Sequence, residues 1–270
     1  RGSLLKRQAH LVMEDGSIYT GKAFGAHTTA FGEVVFNTSM TGYQEILSDP
    51  SYSGQIVIPT YPLVGNYGIN DEDMESRRIH ATGFVVREES RQPSSSVRTI
   101  STLDEFLKAH DVPGISGVDT RAITRRLRNQ GVMMGVLSTE GSPEELLKEL
   151  SSYPNYGAVD FVSQVTTEAS YTWGIENNGQ LSLGRIVVMD YGLKYNILRI
   201  LNRLGWQTQA VPASTSAEEV LALKPDGIVL SPGPGDPALL TTLVQNARLL
   251  GERLPILGIC LGHQVVAKAF

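Results

Sequence analysis

Gly258-Ile259-Cys260-Leu261-Gly262-His263-Gln264 is the stretch on which the reading of this chain turns. Leu254-Pro255-Ile256-Leu257 precedes it, short, apolar and marked by proline, and predicts a buried strand. Val265 to Phe270 follows and can continue as a helix. The only cysteine of the chain therefore sits where a strand turns sharply into a helix, with Gly258 and Gly262 two residues to either side. This is the elbow pattern Gly-x-nucleophile-x-Gly, with Cys in place of Ser. Glycine belongs there because a nucleophile at so tight a bend is held in strained backbone, and larger neighbours would collide. The helix that follows presents free N–H groups and the positive end of its dipole. Both favour the thiolate, which is the nucleophilic form. The Leu261 N–H is placed to stabilise an oxyanion. The competing reading makes Cys260 a small buried apolar residue, as most free cysteines are.

Outward from the elbow, residues 185–270 alternate strand and helix. Ile186 to Asp190 predicts a strand buried on both faces, followed by the turn Tyr191-Gly192 and an amphipathic helix from Leu193 to Leu204 that Gly205 ends. Strands are predicted at Trp206–Val211 and Asp226–Ser231, with helices at Ser216–Leu223 and Ala238–Leu250. Between Asp226–Ser231 and the last helix lies the tight loop Pro232-Gly233-Pro234-Gly235-Asp236-Pro237. Such alternation makes a parallel sheet with right-handed crossovers. Loops at the carboxyl ends of its strands form the binding crevice, and the Pro-Gly loop and the Cys260 elbow both lie at that end.

The N-terminal half is written differently. Strands are predicted through residues 9–36, broken at the hairpin signal Asp15-Gly16, then at 55–60, 81–87, 114–118 and 135–138. Short helices are expected after Thr102, after Asp119 and from Pro143 to about Leu150. The charged run 71–78 reads as solvated, and Arg91 to Ser96 as loop. The helix capped by Asp119 carries Arg121, Arg125, Arg126 and Arg128. Those arginines form either a solvated face or a docking face for an acidic partner surface. From Ser151 to Gly184 the composition shifts to Ser, Thr, Tyr, Asn and Gly and reads as a linker with a short ordered piece near Val159–Val165. The expected organisation is thus a domain over 1–150, a linker over 151–184 and a second domain over 185–270.

Composition sets the class. The 270 residues are 41% hydrophobic and 19% charged, those of an ordinary soluble protein able to bury a sizeable core. A net charge of −5 argues against a nucleic-acid footprint. No apolar run approaches the roughly 18 residues of a membrane span. One cysteine allows no internal disulfide and fits a reducing, cytoplasmic compartment. Arg1-Gly2-Ser3 looks like a processed or cloned end, without a signal peptide's apolar core.

Three stretches together resemble the small, glutamine-hydrolysing subunits of carbamoyl phosphate synthetase. The Cys260 elbow resembles that of class I glutamine amidotransferases, and Ser231-Pro232-Gly233-Pro234-Gly235-Asp236-Pro237 resembles their loop beside bound glutamine. Phe36-Asn37-Thr38-Ser39-Met40-Thr41-Gly42-Tyr43-Gln44-Glu45-Ile46-Leu47 resembles the signature of the N-terminal domain that only this subunit carries. A lesser match, Asp190 to Ile197, fits the same subunit and is given no site role. The resemblance implies an α/β protein: a β-rich α/β domain followed by an incomplete parallel-sheet class I amidotransferase domain. It implies glutamine hydrolysis through a Cys260 thioester, with the ammonia passed to a large subunit for carbamoyl phosphate synthesis, a step toward arginine and pyrimidines. By the same resemblance Gly233 and Leu261 supply the oxyanion hole, while Gly235, Ser39 and Gln264 hold the glutamine's α-amino and α-carboxylate groups. Ser39 would reach over from the N-terminal domain; taken alone it reads as a helix cap or turn serine. No cofactor or metal is expected in this chain; ATP and magnesium belong to the large-subunit partner, and no nucleic-acid or membrane partner is expected.

A cysteine nucleophile wants a base, which the family supplies as a His with a Glu two residues on. The histidines here are His10, His27, His80, His110 and His263, and none is a candidate. Four strands are counted in 185–270, fewer than the family's domain has. The expectation is a C-terminally shortened fragment with little or no turnover of its own. Two alternatives stand beside this reading: the glutaminase of another amidotransferase, weighed against by residues 1–150, and a non-catalytic interaction or regulatory subunit.

Overall fold

The chain reverses first at Asp15-Gly16, where the Asp15 carboxylate accepts the Ser17 N–H at 2.9 Å and Gly16 takes φ +82°. The computed structural model describes residues 7–93, 99–174 and 182–270. Arg1–Ser3, part of the Arg91–Ser96 loop and part of the 151–184 stretch fall outside the described residues. The chain divides into two units, Arg1–Ser48 with Tyr52–Ala158, and Asp49–Ser51 with Val159–Phe270.

The first unit contains strands β1 (Gln8–Met13), β2 (Ile18–Gly25) and β3 (Thr29–Asn37), helix α1 (Tyr43–Ser48), and strands β4 (Gln55–Pro59), β5 (Leu63–Val64), β6 (Gly83–Val86) and β7 (Glu88–Glu89). Helix α2 (Leu103–Ala109), strand β8 (Pro113–Ser116), helix α3 (Thr120–Gln130), strand β9 (Met133–Ser138) and helix α4 (Pro143–Leu150) complete it. Seven strands close into a barrel in the order β1-β2-β8-β6-β4-β3-β9. The neighbours β8, β6, β4 and β3 run parallel, and the other pairings are antiparallel. Strand β4 explains why part of this half reads as continuous apolar sequence. Ile56 and Ile58 join one core cluster while Val57 joins another, so both faces of the strand are buried.

The helix ends follow from capping chemistry. Thr102 and Ser142 each form a reciprocal capping box, with Glu105 and Glu145 respectively, and Pro143 opens α4. Asp119 accepts the Ala122 N–H at 3.0 Å and starts α3. The run 71–78 departs from the solvated face expected of it. Glu75 and Ser76 are buried, the Glu75 N–H donating to Ser48 Oγ and the Ser76 hydroxyl donating to the Ser48 carbonyl.

The second unit contains helix α5 (Val162–Val165), strand β10 (Tyr171–Trp173), strand β11 (Arg185–Asp190), helix α6 (Tyr195–Arg203), strand β12 (Gln207–Pro212) and helix α7 (Ala217–Ala222). Strand β13 (Gly227–Leu230), helix α8 (Thr241–Gly251), strand β14 (Ile256–Gly258) and helix α9 (Leu261–Ala269) follow. The sheet order is β10-β12-β11-β13-β14, with β11 to β14 parallel and β10 antiparallel on the outer edge of β12. The chain passes from β11 to β12 on one side, then crosses back to β13 on the other. The crevice at such a reversal lies beyond the carboxyl ends of β11 and β13.

Three local expectations are corrected here. Tyr171–Trp173, inside the stretch read as linker, forms a strand of this sheet. The helix expected over Ala238–Leu250 is a 3₁₀ turn at Pro237–Leu239 followed by α8, because Leu240 leaves helical geometry at φ −101°, ψ 43°. Strand β14, expected to be buried, pairs with β13 alone and leaves Leu257 57% exposed.

Burial of His80 in the first unit, helped by the Arg78 and Arg77 charges, pushes its pKa down from 6.5 to about 4. Between those values the unfolded chain holds a proton that the folded chain rejects, so this group's contribution is lost as pH falls from 6.5 to about 4. Half-buried Glu33 and Glu45 shift upward through partial desolvation and act with the opposite sign. His80→Gln is therefore compared with the parent at each pH. Urea unfolding should show the parent losing roughly 2–3 kcal/mol more than the variant between about pH 7 and pH 4; parallel pH profiles would exclude His80 as the source.

Candidate active site

Two buried polar side chains shape the carboxyl end of the parallel strands. The Asp190 carboxylate accepts the N–H groups of Gly192 at 3.0 Å and Leu193 at 2.8 Å, and through its other oxygen that of Thr167 at 2.9 Å. That turn delays α6 to Tyr195, two residues beyond the start its sequence suggests. Ser231, fully buried, accepts the Tyr191 N–H at 2.9 Å and donates its hydroxyl to the Pro232 carbonyl at 2.8 Å. Its own carbonyl accepts the Gly262 N–H at 3.1 Å. One serine thus links the loop after β11, the loop after β13 and the start of α9.

Glycine makes these approaches feasible. A Cβ on Gly233 would overlap the Tyr191 carbonyl and stand 2.9 Å from Leu261 Cδ2. A Cβ on Gly192 would stand 2.8 Å from Gly233 Cα, one on Gly258 2.5 Å from the Gly262 carbonyl oxygen, and one on Gly262 would overlap the Leu230 carbonyl. The elbow closes only because its flanking residues lack side chains. Cys260 itself sits at φ 53°, ψ −113°, outside the regions a side-chain-bearing residue prefers. It is exposed, not the buried apolar residue of the competing reading.

Three of the residues singled out in the sequence therefore meet: Cys260, Leu261 and Gly233. Leu261 is buried through its side chain while its N–H, the first of α9, has no hydrogen-bond partner among the described residues. The Gly233 N–H is equally open among the described residues. Gly235 takes φ +90° in the same loop and faces Phe161 and the Val159 carbonyl. Gln264 is exposed on α9, its N–H bonded to the Cys260 carbonyl at 3.1 Å. Ser39 lies in the first unit, exposed, its N–H donated to Asn37 Oδ1 at 2.8 Å in an Asx turn; its part in a glutamine site rests on resemblance alone.

Sequence reading missed the work of Asp190 and Ser231. The available signal was a small polar residue closing each buried strand. It also gave Lys194 no role, yet Lys194 forms an ion pair at 2.9 Å with buried Asp49, whose short segment Asp49–Ser51 packs with the second unit.

Residues 11–137 match the carbamoyl-phosphate synthase small chain CPSase domain, and residues 187–270 match the class I glutamine amidotransferases. The carbamoyl phosphate synthase small chain of Syntrophotalea carbinolica is 47% identical over 273 residues, covering 97% of this chain and 72% of that one. This chain belongs to the carbamoyl phosphate synthase small chain family. The small chains of Nostoc sp. (47% identity, 97% and 70% coverage) and Chlorobaculum tepidum (48%, 97% and 71%) are similarly close. A solved aminopeptidase from Aneurinibacillus sp. strain AM-1 aligns with a TM-score of 0.28 at 11% identity, covering 82% of this chain and 56% of that one, and bears on nothing here. No helix among the described residues is long and apolar enough to cross a membrane.

Strain at the elbow should be measurable. Glycine accepts the Cys260 backbone geometry without penalty, so Cys260→Gly should raise stability by about 1 kcal/mol in thermal unfolding. A lower midpoint for that variant would mean that the bend is not strained. Gly233→Ala should act oppositely, lowering stability by roughly 1–3 kcal/mol as the Tyr191 carbonyl is forced away; an unchanged midpoint would contradict the close approach.

Proposed function

We propose that Cys260 hydrolyses the side-chain amide of L-glutamine to glutamate and ammonia. The observation that carries this is exposed Cys260 on a strained bend, next in the chain to Leu261, whose side chain packs on Gly233; the N–H groups of Leu261 and Gly233 have no partner among the described residues. The Sγ thiolate attacks the amide carbon, and the oxyanion that forms is held by those two N–H groups. The C–N bond then breaks and nitrogen leaves as ammonia once it gains a proton. Water cleaves the resulting thioester, giving glutamate and restoring the thiol. Gly235 and Gln264 are proposed to hold the α-amino and α-carboxylate ends of glutamine, with Ser39 as the resemblance implies. The ammonia is proposed to serve a large synthase subunit that binds ATP and magnesium, in the cytoplasm, for carbamoyl phosphate on the way to arginine and pyrimidines.

Among the described residues no side chain hydrogen-bonds Cys260 Sγ. His10 bonds Thr20, His110 bonds the Phe106 carbonyl, and His263 is exposed on α9. A nucleophile without its base loses several powers of ten in rate, because such groups act as a unit. These 270 residues by themselves are therefore proposed to bind and alkylate far better than they turn over.

A chloroketone analogue of glutamine tests the reading, since Sγ–C bond formation with loss of chloride needs no leaving-group proton. Mass spectrometry should show one adduct, mapped to Cys260, slowed by excess glutamine and absent from Cys260→Ser. Labelling that glutamine does not slow would remove Cys260 from a glutamine site.

A further inference from the structure

The four arginines of α3 do not share one environment. Arg126 pairs with Asp15. Arg121, Arg125 and Arg128 follow one face of the helix at i, i+4 and i+7. With Arg87, Thr60 and Thr124 they line a groove of about 540 Å³. Arg87, Arg121, Arg125 and Arg128 are all exposed, and among the described residues none of their side chains has an ion pair or hydrogen bond. A chain of net charge −5 has thus gathered four unpaired positive groups in one place.

The place is defined by the barrel. Thr60 directly follows β4, Arg87 directly follows β6, and α3 begins shortly after β8. These three strands are parallel neighbours, so the groove lies beyond their carboxyl ends. Thr120, Ile123 and Leu127 are buried beneath α3 and fix its rotation, which holds the arginine row outward. Like charges at i,i+4 destabilise a helix by a few tenths of a kcal/mol per pair, and no acidic side chain on this face offsets it.

We propose that this groove docks an acidic segment of a partner polypeptide. The guanidinium fork matches the planar carboxylate. From Arg121 to Arg128 the row rises about 10.5 Å along α3, more than a single phosphate group spans, at steps of about 6 Å or less. Alternate side chains on an extended acidic strand are about 6.6–6.8 Å apart, close to the roughly 6 Å step from Arg121 to Arg125, and the long arginine stems can take up the shorter step to Arg128. No aromatic ring lines the groove, so there is no platform on which a nucleotide base could stack. This inference goes beyond glutamine hydrolysis and does not depend on it.

The probe is an acetylated, amidated peptide of four Glu-Ala repeats, followed by fluorescence anisotropy against the whole chain. Binding should weaken at least about fivefold when sodium chloride rises from roughly 50 to 300 mM, as screening requires. Arg121→Glu/Arg125→Glu/Arg128→Glu should weaken it at least about tenfold. Arg125→Glu alone, which keeps the helix intact by circular dichroism, should weaken it several-fold, and Arg125→Lys should restore most of the loss. Lys148→Glu, at an exposed position of α4, should change it less than about twofold. Equal binding by Arg125→Glu and the parent, or equal loss in Lys148→Glu, would overturn the proposal. So would tighter binding of inorganic pyrophosphate than of the peptide, which would mark the groove as a small-anion site.

Discussion

The buried hydroxyl of Ser231 is the joint on which the second unit's chemistry depends. It accepts the Tyr191 N–H and donates to the Pro232 carbonyl, while the Ser231 carbonyl takes the Gly262 N–H. Three segments distant in sequence are thereby held at hydrogen-bonding distance in a water-free spot. In such a place an unmade hydrogen bond costs the full desolvation of the group, about 1–3 kcal/mol, so the arrangement is strongly specified. Gly192, Gly233, Gly258 and Gly262 let the backbones come that close. The bend at Cys260 is then a result of its surroundings: the strain is held by neighbours that are themselves fixed.

The two units reach rigidity by different means. In the second, helices cover most of an open sheet, leaving β14 exposed at Leu257, and loops at its carboxyl ends are left free to carry function. In the first, a closed barrel is covered by α1 and α2 on one cluster and by α4 on another. The charged helix α3 is rooted by Ile123 and Leu127 in a third. A helix so rooted keeps an exposed charge pattern in register without any partner present. The order of elements around the barrel, not the composition of any one loop, brings Thr60, Arg87 and the start of α3 together.

Local chemistry was legible in the sequence and non-local neighbourhood was not. The start of α4 follows from Ser142, Pro143 and Glu145 alone, and the strand at β11 from an unbroken apolar run. The elbow was legible because its glycines stand at fixed offsets from Cys260. Barrel closure was invisible, since no single strand encodes which strand lies beside it. The exposure of β14 was misjudged for the same reason: an apolar strand is buried only if something covers it, and Leu257 is uncovered. Three residues, Tyr171-Thr172-Trp173, are too few to show an alternating period. The site's glycine and cysteine positions could be read from spacing. For Asp190 and Ser231 the sequence offered only a small polar residue closing each strand; that Ser231 bonds a residue forty positions away leaves no trace in local pattern.

A sheet that closes on itself has no unpaired margin. In the first unit every barrel strand is hydrogen-bonded on both sides, so an incoming chain cannot extend it by adding a strand. Recognition on the barrel itself must proceed through side chains, and its selectivity is then tunable one residue at a time without disturbing the backbone ladder. The same closure gives little template for runaway self-association, which allows a polar docking surface to stay open in solution.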